Sequence, residues 1–340
     1  MTPLYLSRPS LWLPEAVLTN EDVLDRVRLR YRGEEDAWPL LEAGLQLIHQ
    51  ASGSRLRHKE LDPTARIATA AVRAARACLA AHDLEPEDLD MLLYAGIGRQ
   101  YLEPATAMEV AARLGLEEVR AWDISSACVS QVLGIANACA WFHMEPRLRR
   151  AMVCSAEISQ ERAIYDIQSY DEVPFQGAGI TLGDAASAWI VSRDPLPGGC
   201  LRLVSIDTIA LPQHWTASQT RLGDRFAAQS SELLRAGTAA APTLTETLRR
   251  AGWALDTVEQ VFLHQAGAAM HQRALEELAL RPEQALDVHP RFGNTASCAV
   301  ATAVHTYLEG RAPREGARFI LAGAGAGLSV CAISGEWTAG

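Results

Sequence analysis

The sequence lacks the closely spaced cysteine pairs of zinc sites and disulfide frameworks. Its seven cysteines are an odd number and lie scattered along the chain. Most stand in apolar runs, namely Cys78, Cys139, Cys154, Cys298 and Cys331. Free, buried thiols of this kind are typical of a reducing compartment. We therefore expect a cytoplasmic protein without disulfides and without a metal site.

The chain also lacks excess positive charge and any apolar run of membrane-spanning length. Its 340 residues carry a formal net charge of −10, which argues against general binding to nucleic acid or to an anionic membrane. Gly, His or charged residues interrupt each long apolar stretch. The first residues show no basic region followed by an apolar one, so no secretory signal is expected. Neither nucleic acid nor membrane insertion is predicted.

The chain does contain a repeated order of apolar strands and helices. When Gly98 is aligned with Gly267, 169 residues later, Cys128 falls opposite Ser297. The repeat predicts two similar α/β halves, each with a mainly parallel sheet between helices. The runs with the pattern of buried strands are residues 89–98, 151–159, 258–267 and 318–326.

Three stretches break this order. Residues 30–60 are charged and predict irregular structure, and residues 160–180 predict a polar loop. Pro195–Gly199 is the strongest linker signal in the chain. We place a domain boundary there, which divides the chain into an N-terminal half, residues 1–195, and a C-terminal half, residues 196–340.

Cys128 is the strongest candidate for a nucleophile. It lies in AWDISSACVSQVLGIANACAWF, residues 121–142, where a short strand passes into a segment with the pattern of a buried helix. We place Cys128 at the helix start, where free N–H groups and the macrodipole stabilise a thiolate. The alternative is a small core residue, which is what most buried cysteines are.

Two other polar residues are expected near Cys128 if the halves pack about a pseudo-twofold axis. His264 ends the strand in VFLHQAG, and Asn294 lies in RFGNTAS before the second central helix. Ligand sites in such sheets lie at the carboxyl ends of strands. A thiolate can accept an acyl group from a thioester, and both partners can donate hydrogen bonds to an enolate oxygen. The alternatives are a core histidine and a turn or cap asparagine.

The glycine-rich run Gly323–Gly327, GAGAG, allows two interpretations. A dinucleotide-binding fingerprint needs a helix after it, whereas LSVCAIS has the pattern of a strand. A backbone N–H of this run could instead join that of Cys128 in an oxyanion hole for an acyl carbonyl. The second interpretation fits the chain better.

Together, AWDISSACVS, VFLHQAG and RFGNTAS resemble the Cys-His-Asn motifs of ketosynthase III enzymes of the thiolase superfamily, in the same order. TLGDAASA and SGSRLRHK resemble two further segments of that family. The resemblance implies a thiolase fold, with two α/β halves forming five layers, αβαβα. It also implies a homodimer, and acyl transfer from a coenzyme A or carrier-protein thioester to Cys128 without another cofactor. The oxyanion hole would use the N–H groups of Cys128 and Ala326.

The segment RQYLEPATAMEVAARLGL resembles one branch of the superfamily, the olefin-pathway enzymes. Those enzymes join two fatty acyl-CoA molecules head to head without decarboxylation. Their glutamate in this segment crosses the dimer interface and serves as the base that forms the enolate, which implies that role for Glu103. A carboxylate in an apolar channel has a raised pKa that suits this task. The alternative is an exposed acid before Pro104 at a helix N-terminus.

The resulting prediction is an acyl-thioester condensing enzyme of lipid or specialised metabolism. Cys128 would be acylated and would then undergo Claisen condensation with a second acyl thioester. Gly267–Ala269 replaces the family's Asn-Leu-Arg, whose Arg helps dock carrier protein. A malonyl-using, decarboxylating ketosynthase and an acyltransferase that forms an ester or amide remain alternatives. Gln131, expected near the acyl channel, predicts a substrate other than a plain alkyl chain.

Overall fold

This computed structural model describes residues 3–221, 224–237 and 241–339. Its strands are β1 (Tyr5–Ser7), β2 (Ser10–Trp12), β3 (Val17–Thr19), β4 (Leu56–His58), β5 (Met91–Ala95), β6 (Arg120–Ile124), β7 (Arg150–Glu157), β8 (Ala185–Ser192), β9 (Cys200–Ala210), β10 (Gln260–Leu263), β11 (Arg318–Gly325) and β12 (Ser329–Thr338). Its α-helices are α1 (Asn20–Arg30), α2 (Trp38–Ser52), α3 (Ile67–Ala80), α4 (Thr106–Leu114), α5 (Ser130–Met144), α6 (Glu161–Tyr165), α7 (Val173–Gln176), α8 (Ser230–Gly237), α9 (Ala241–Ala251), α10 (Ala268–Glu277), α11 (His289–Phe292) and α12 (Ala299–Leu308).

The main sheet consists of two arms that meet at β1 and β9. Its strand order is β10-β11-β12-β9-β1-β8-β7-β5-β6, and β3 pairs with β4 separately. In the first arm β5 runs parallel to β6 and β7, and in the second β10 runs parallel to β11. Because parallel strands end at the same edge, each arm gathers its strand-end loops on one side.

Helices cover both outer faces and fill the space between the arms. On the outside, α3 and α4 pack on the first arm, and α9 packs on β9 and β12 of the second. Between them, α5 contacts β5 and β7 of one arm and β11 and β12 of the other, while α12 contacts β10 and β8. A helix between two sheets must be apolar on every side, as α5 is. The predicted five-layer α/β architecture is confirmed. Within the described ranges, no helix is long and apolar enough to cross a membrane.

The two halves share a backbone feature at corresponding positions. Ala127 and Ala296 lie 169 residues apart, and each has a φ of +49°. This left-handed conformation is rare for a residue with a side chain. Each alanine lies three residues before a central helix, α5 at Ser130 in one half and α12 at Ala299 in the other. The shared conformation supports the repeat, whereas the division at residue 195 stays a prediction.

Residues 38–52 form α2, so the expectation of irregular structure across 30–60 is wrong. A proline lies in the first turn of α2, and Gly53 ends it with a φ of 70°. Leu41 and Leu45, one helical turn apart, are buried in the core beneath it. Charged residues on both sides of this segment hid its period in the sequence.

Candidate active site

Cys128 lies in the turn between β6 and α5. The helix begins at Ser130, so the expectation of Cys128 in the first helical turn is wrong by two residues. Ser130 closes this turn, because its hydroxyl donates to Ala127 O (2.6 Å) and accepts from Ser126 N (2.7 Å). The left-handed Ala127 reverses the chain immediately before Cys128. The nucleophile candidate therefore stands at a fixed, sharply bent position.

The end of β11 lies directly against this turn. A Cβ atom on Gly325 would stand 2.6 Å from Ser126 O and 3.0 Å from Val129 N, so a side chain does not fit there. Ala326 follows Gly325 directly, in the turn to β12. The run GAGAG thus permits close approach of two backbones. Since β12 follows it, the dinucleotide interpretation is excluded.

His264 follows β10 and lies beside the same strand. Its backbone N–H donates to Ala322 O of β11 (2.9 Å). Its ring Nδ1 is buried and has no hydrogen-bond partner among the described residues. Burial, and secondly the nearby His289, lower the pKa of His264 to about 4. The imidazole is therefore neutral at physiological pH and can accept a proton.

Asn294 lies in the turn between α11 and α12. Its N–H donates to Thr181 O (2.9 Å), and its carbonyl accepts from Gly183 N (3.1 Å). Its side-chain Oδ1 accepts from Ala296 N (2.9 Å). This last bond orients the amide, whose nitrogen can donate to an oxygen of a substrate.

A buried ion pair supports the turn that holds Asn294. Lys59 Nζ donates to both carboxylate oxygens of Asp184, at 2.7 and 2.8 Å, and neither side chain is exposed. The carboxylate also accepts from the backbone N–H groups of Ser159 and Glu60. A buried carboxylate with this many donors fixes the chain around it.

The electrostatics of Cys128 differ from the sequence expectation. Burial raises the pKa of its thiol to about 12, and the negative charge of Glu157 adds to the rise. The helix N-terminus therefore does not produce an acidic thiol in the free protein. Ionisation of Cys128 calls for a base, and the neutral imidazole of His264 is the candidate.

The raised pKa predicts how Cys128 responds to pH. We expect its alkylation by iodoacetamide to rise about tenfold per pH unit between about pH 6 and pH 9, because only the thiolate reacts. Intact mass after timed quenching measures this rate, and the protein with Cys128→Ala gives the background from the six other, buried cysteines. A plateau below about pH 8 would contradict the raised pKa.

Glu157, at the end of β7, is a buried carboxylate that the sequence interpretation missed. Its Oε1 accepts from Ile97 N (2.9 Å) and from the hydroxyl of Ser297, and its Oε2 accepts from Gly98 N (3.1 Å). Burial raises its pKa. The available signal was a single acid that ends the apolar run AMVCSAE.

Glu103 lies on the surface of the chain. It stands in an exposed loop next to Leu102, of which 74% is exposed. The apolar channel assumed in the sequence interpretation is therefore not formed around Glu103 by its own chain. Its role as a base stays a prediction that depends on a second copy.

Gln131 gives no information about the substrate. It is buried in α5, where its Nε2 donates to Ser187 Oγ (2.8 Å) and its Oε1 accepts from Trp189 Nε1 (3.2 Å). A glutamine with these partners is a hydrogen-bonded core residue. The inference of an unusual acyl chain from Gln131 is wrong.

Within the described residues, no group of three or more His, Cys, Asp or Glu could hold a metal ion.

The chain is similar in sequence to several known proteins. Residues 248–337 match the family model described as 3-oxoacyl-[acyl-carrier-protein (ACP)] synthase III C terminal. The chain is 26% identical to a beta-ketoacyl-[acyl-carrier-protein] synthase III of Clostridium beijerinckii, covering 96% of this chain and 97% of the relative. It is also 26% identical to an acyl-CoA:acyl-CoA alkyltransferase of Shewanella oneidensis, covering 78% and 82%.

The fold matches solved structures over nearly the whole chain. Xanthomonas campestris OleA, with bound lauric acid and lauroyl-CoA, superposes with a TM-score of 0.87 at 20% identity, covering 98% of this chain and 99% of OleA. At this identity the match establishes the shared fold. The chain is thus similar in sequence to beta-ketoacyl-[acyl-carrier-protein] synthase III proteins and to an acyl-CoA:acyl-CoA alkyltransferase, and it shares the fold of OleA.

Proposed function

We propose that this protein is an acyl-thioester condensing enzyme with Cys128 as nucleophile. The observation that carries the proposal is the position of β11. Its end lies against the Cys128 turn, while Ala322 of the same strand binds the backbone of His264. A thiol and a neutral imidazole thus flank one strand at the carboxyl edge of the sheet, where thiolase-fold chemistry needs them.

The first half-reaction loads the acyl group. His264 accepts the proton of the Cys128 thiol, and the sulfur attacks the thioester carbonyl. The N–H groups of Cys128 and Ala326 stabilise the oxyanion. The carrier thiolate leaves and is protonated, so a thioester on Cys128 replaces the thioester of the donor. No net redox change occurs.

The second half-reaction forms the carbon–carbon bond. A base removes an α-proton from a second acyl thioester, and His264 and Asn294 donate hydrogen bonds to the enolate oxygen. The α-carbon attacks the acyl group on Cys128, and the Cys128 thiolate leaves, which yields a β-keto thioester. Glu103 of a second copy is the proposed base, since the reaction has no carboxylate to lose.

A homodimer is part of this proposal, and two surface features support it. Around the loop that contains Glu103, four apolar side chains are between 43% and 74% exposed, namely those of Ile97, Tyr101, Leu102 and Met108. In addition, β6 pairs only with β5 in the described sheet, so one of its edges is open. Exposed apolar patches and open strand edges are typical of interfaces. A second copy is the partner that fits both.

Relatives suggest the substrate class. The names acyl-CoA:acyl-CoA alkyltransferase and beta-ketoacyl-[acyl-carrier-protein] synthase III, together with lauroyl-CoA bound to OleA, support acyl thioesters of coenzyme A or of carrier protein. The free thiols of the described residues fit the cytoplasm expected from the sequence.

The type of bond that forms in the product, carbon–carbon, ester or amide, tests the proposed function. The protein is incubated with saturated acyl-CoA and acyl-carrier-protein thioesters of several lengths, with and without malonyl thioester and with an alcohol or amine acceptor. Mass spectrometry of the product then identifies the bond formed. A β-keto product supports the proposal. An ester or amide without any β-keto product would favour the acyltransferase alternative and overturn it.

A further inference from the structure

The loop of residues 96–105, here the Glu103 loop, is bound at its start by a buried carboxylate. Glu157 accepts hydrogen bonds from the N–H groups of Ile97 (2.9 Å) and Gly98 (3.1 Å). The loop also packs tightly there, because a Cβ on Gly98 would stand 2.8 Å from Ala156 O. The hydrogen bonds and the close packing therefore hold the first residues of the loop against the end of β7.

A second carboxylate holds the other end of the loop. Asp123 of β6 accepts from Thr106 N (2.9 Å) and Ala107 N (2.8 Å), the first residues of α4. Between the two ends, Gln100 Nε2 donates to Ala65 O (3.1 Å). Leu102 and Glu103 then project into solvent. The loop is thus anchored at its base while its tip faces outward.

Glu157 also reaches the turn on the other side of the site. The hydroxyl of Ser297 donates to Glu157 Oε1 and bonds with the hydroxyl of Ser155. Ser297 lies three residues after Asn294. All three groups on the Glu157 carboxyl are donors, which matches an ionised, acceptor-only carboxylate. One buried charge thereby connects the Glu103 loop to the Asn294 turn.

We propose that Glu157 is a positioning residue for condensation, which fixes the Glu103 loop relative to the Asn294 turn. The tip of the loop is thereby presented to the second copy in a set orientation. The inference rests on the proposed function, because it assigns Glu103 to proton removal. It predicts that loss of the Glu157 contacts slows condensation and spares acylation, since small displacements of a catalytic group cost large factors in rate.

Glu157→Gln and Glu157→Asp test this role in separate half-reactions. Glutamine must turn its amide N–H toward one of the backbone donors, and aspartate is one methylene shorter. We expect condensation by pre-acylated protein to fall about 10- to 100-fold in both variants. Acylation, followed by intact mass, should be no slower than in the unaltered protein.

A third readout separates positioning from general damage. Glu157→Gln removes the charge that raises the pKa of Cys128, so alkylation of Cys128 at about pH 8 should become about three- to tenfold faster. Glu157→Asp keeps the charge and should leave that rate unchanged. Glu161→Gln, which removes a carboxylate paired with Arg26 and Arg30, is the matched control and should change none of the three rates.

Equal losses in acylation and condensation, or no loss of condensation, would overturn the role of Glu157. If Glu157→Gln does not fold, hydrogen exchange in the unaltered protein decides: Ile97 and Gly98 amides should exchange slowly and those of Leu102 and Glu103 fast, whereas fast exchange at the first pair overturns the proposal. Glu103→Ala is measured alongside. If condensation does not depend on Glu103, the proposed function fails at that step, whatever Glu157 does.

Discussion

Protein with Cys128→Ala is expected to take up no acyl group from any thioester and to lose at least about 10³-fold of its condensing activity. Nucleophilic catalysis divides the reaction into two easier steps, and without the thiol neither step has its covalent intermediate. The hydroxyl of Ser130 does not replace it, because that hydroxyl is committed to Ala127 O and to Ser126 N. The intact mass of the protein after incubation with acyl-CoA measures the loss.

Cys139→Ala is the matched control for this loss. Cys139 is a buried thiol of α5, the helix that follows Cys128, and it lies in the core between the two arms. This variant should acylate as fast as the unaltered protein, and the adduct should map to Cys128. Full labelling of the Cys128→Ala protein would remove the nucleophile assignment, because the acyl group would then reside on another residue.

The elements around the site were predictable because the pattern of apolar residues in each segment indicates how deeply that segment is buried. Apolar runs such as residues 89–98 indicate strands buried on both faces, and β5 lies within that run. The motifs around His264 and Asn294 placed one residue after a strand and the other before a helix, where the structure has them, whereas Cys128 lies two residues before the helix that was predicted to begin with it. The pattern of apolar residues was sufficient to predict a strand or helix wherever the burial of that segment alone decides which one forms.

Features that depend on several segments at once were not predictable. The sequence shows that a helix follows Cys128, but the pKa of its thiol is raised by burial, with the end of β11 packed against its turn, and secondly by the charge of Glu157. Glu157 itself is one acid at the end of a strand, and its importance lies in contacts to residues 60 positions earlier and 140 positions later. The interpretation of Gln131 was wrong for the same reason, because its hydrogen-bond partners lie on a distant segment, β8.

Glu103→Ala is expected to lower condensation of two non-malonyl thioesters by about 10²- to 10⁴-fold, the usual contribution of a general base. Acylation of Cys128 should continue, because that step uses His264. Glu103→Gln should behave alike, since it keeps the shape and removes the basic oxygen. The measurements are β-keto product formation from pre-acylated protein and the intact mass of the adduct.

Mixed dimers decide which chain supplies Glu103. A dimer of one Cys128→Ala chain and one Glu103→Ala chain has one site with both an intact Cys128 and the other chain's Glu103 if the base acts across the interface. Random mixing should then restore about a quarter of the unaltered rate, because half of the dimers are mixed and each carries one complete site. If Glu103 acted within its own chain, no site would be complete and no activity would return. Unchanged condensation in Glu103→Ala would instead assign carbanion formation to decarboxylation of a malonyl thioester, because the exposed Glu103 would then be a surface acid.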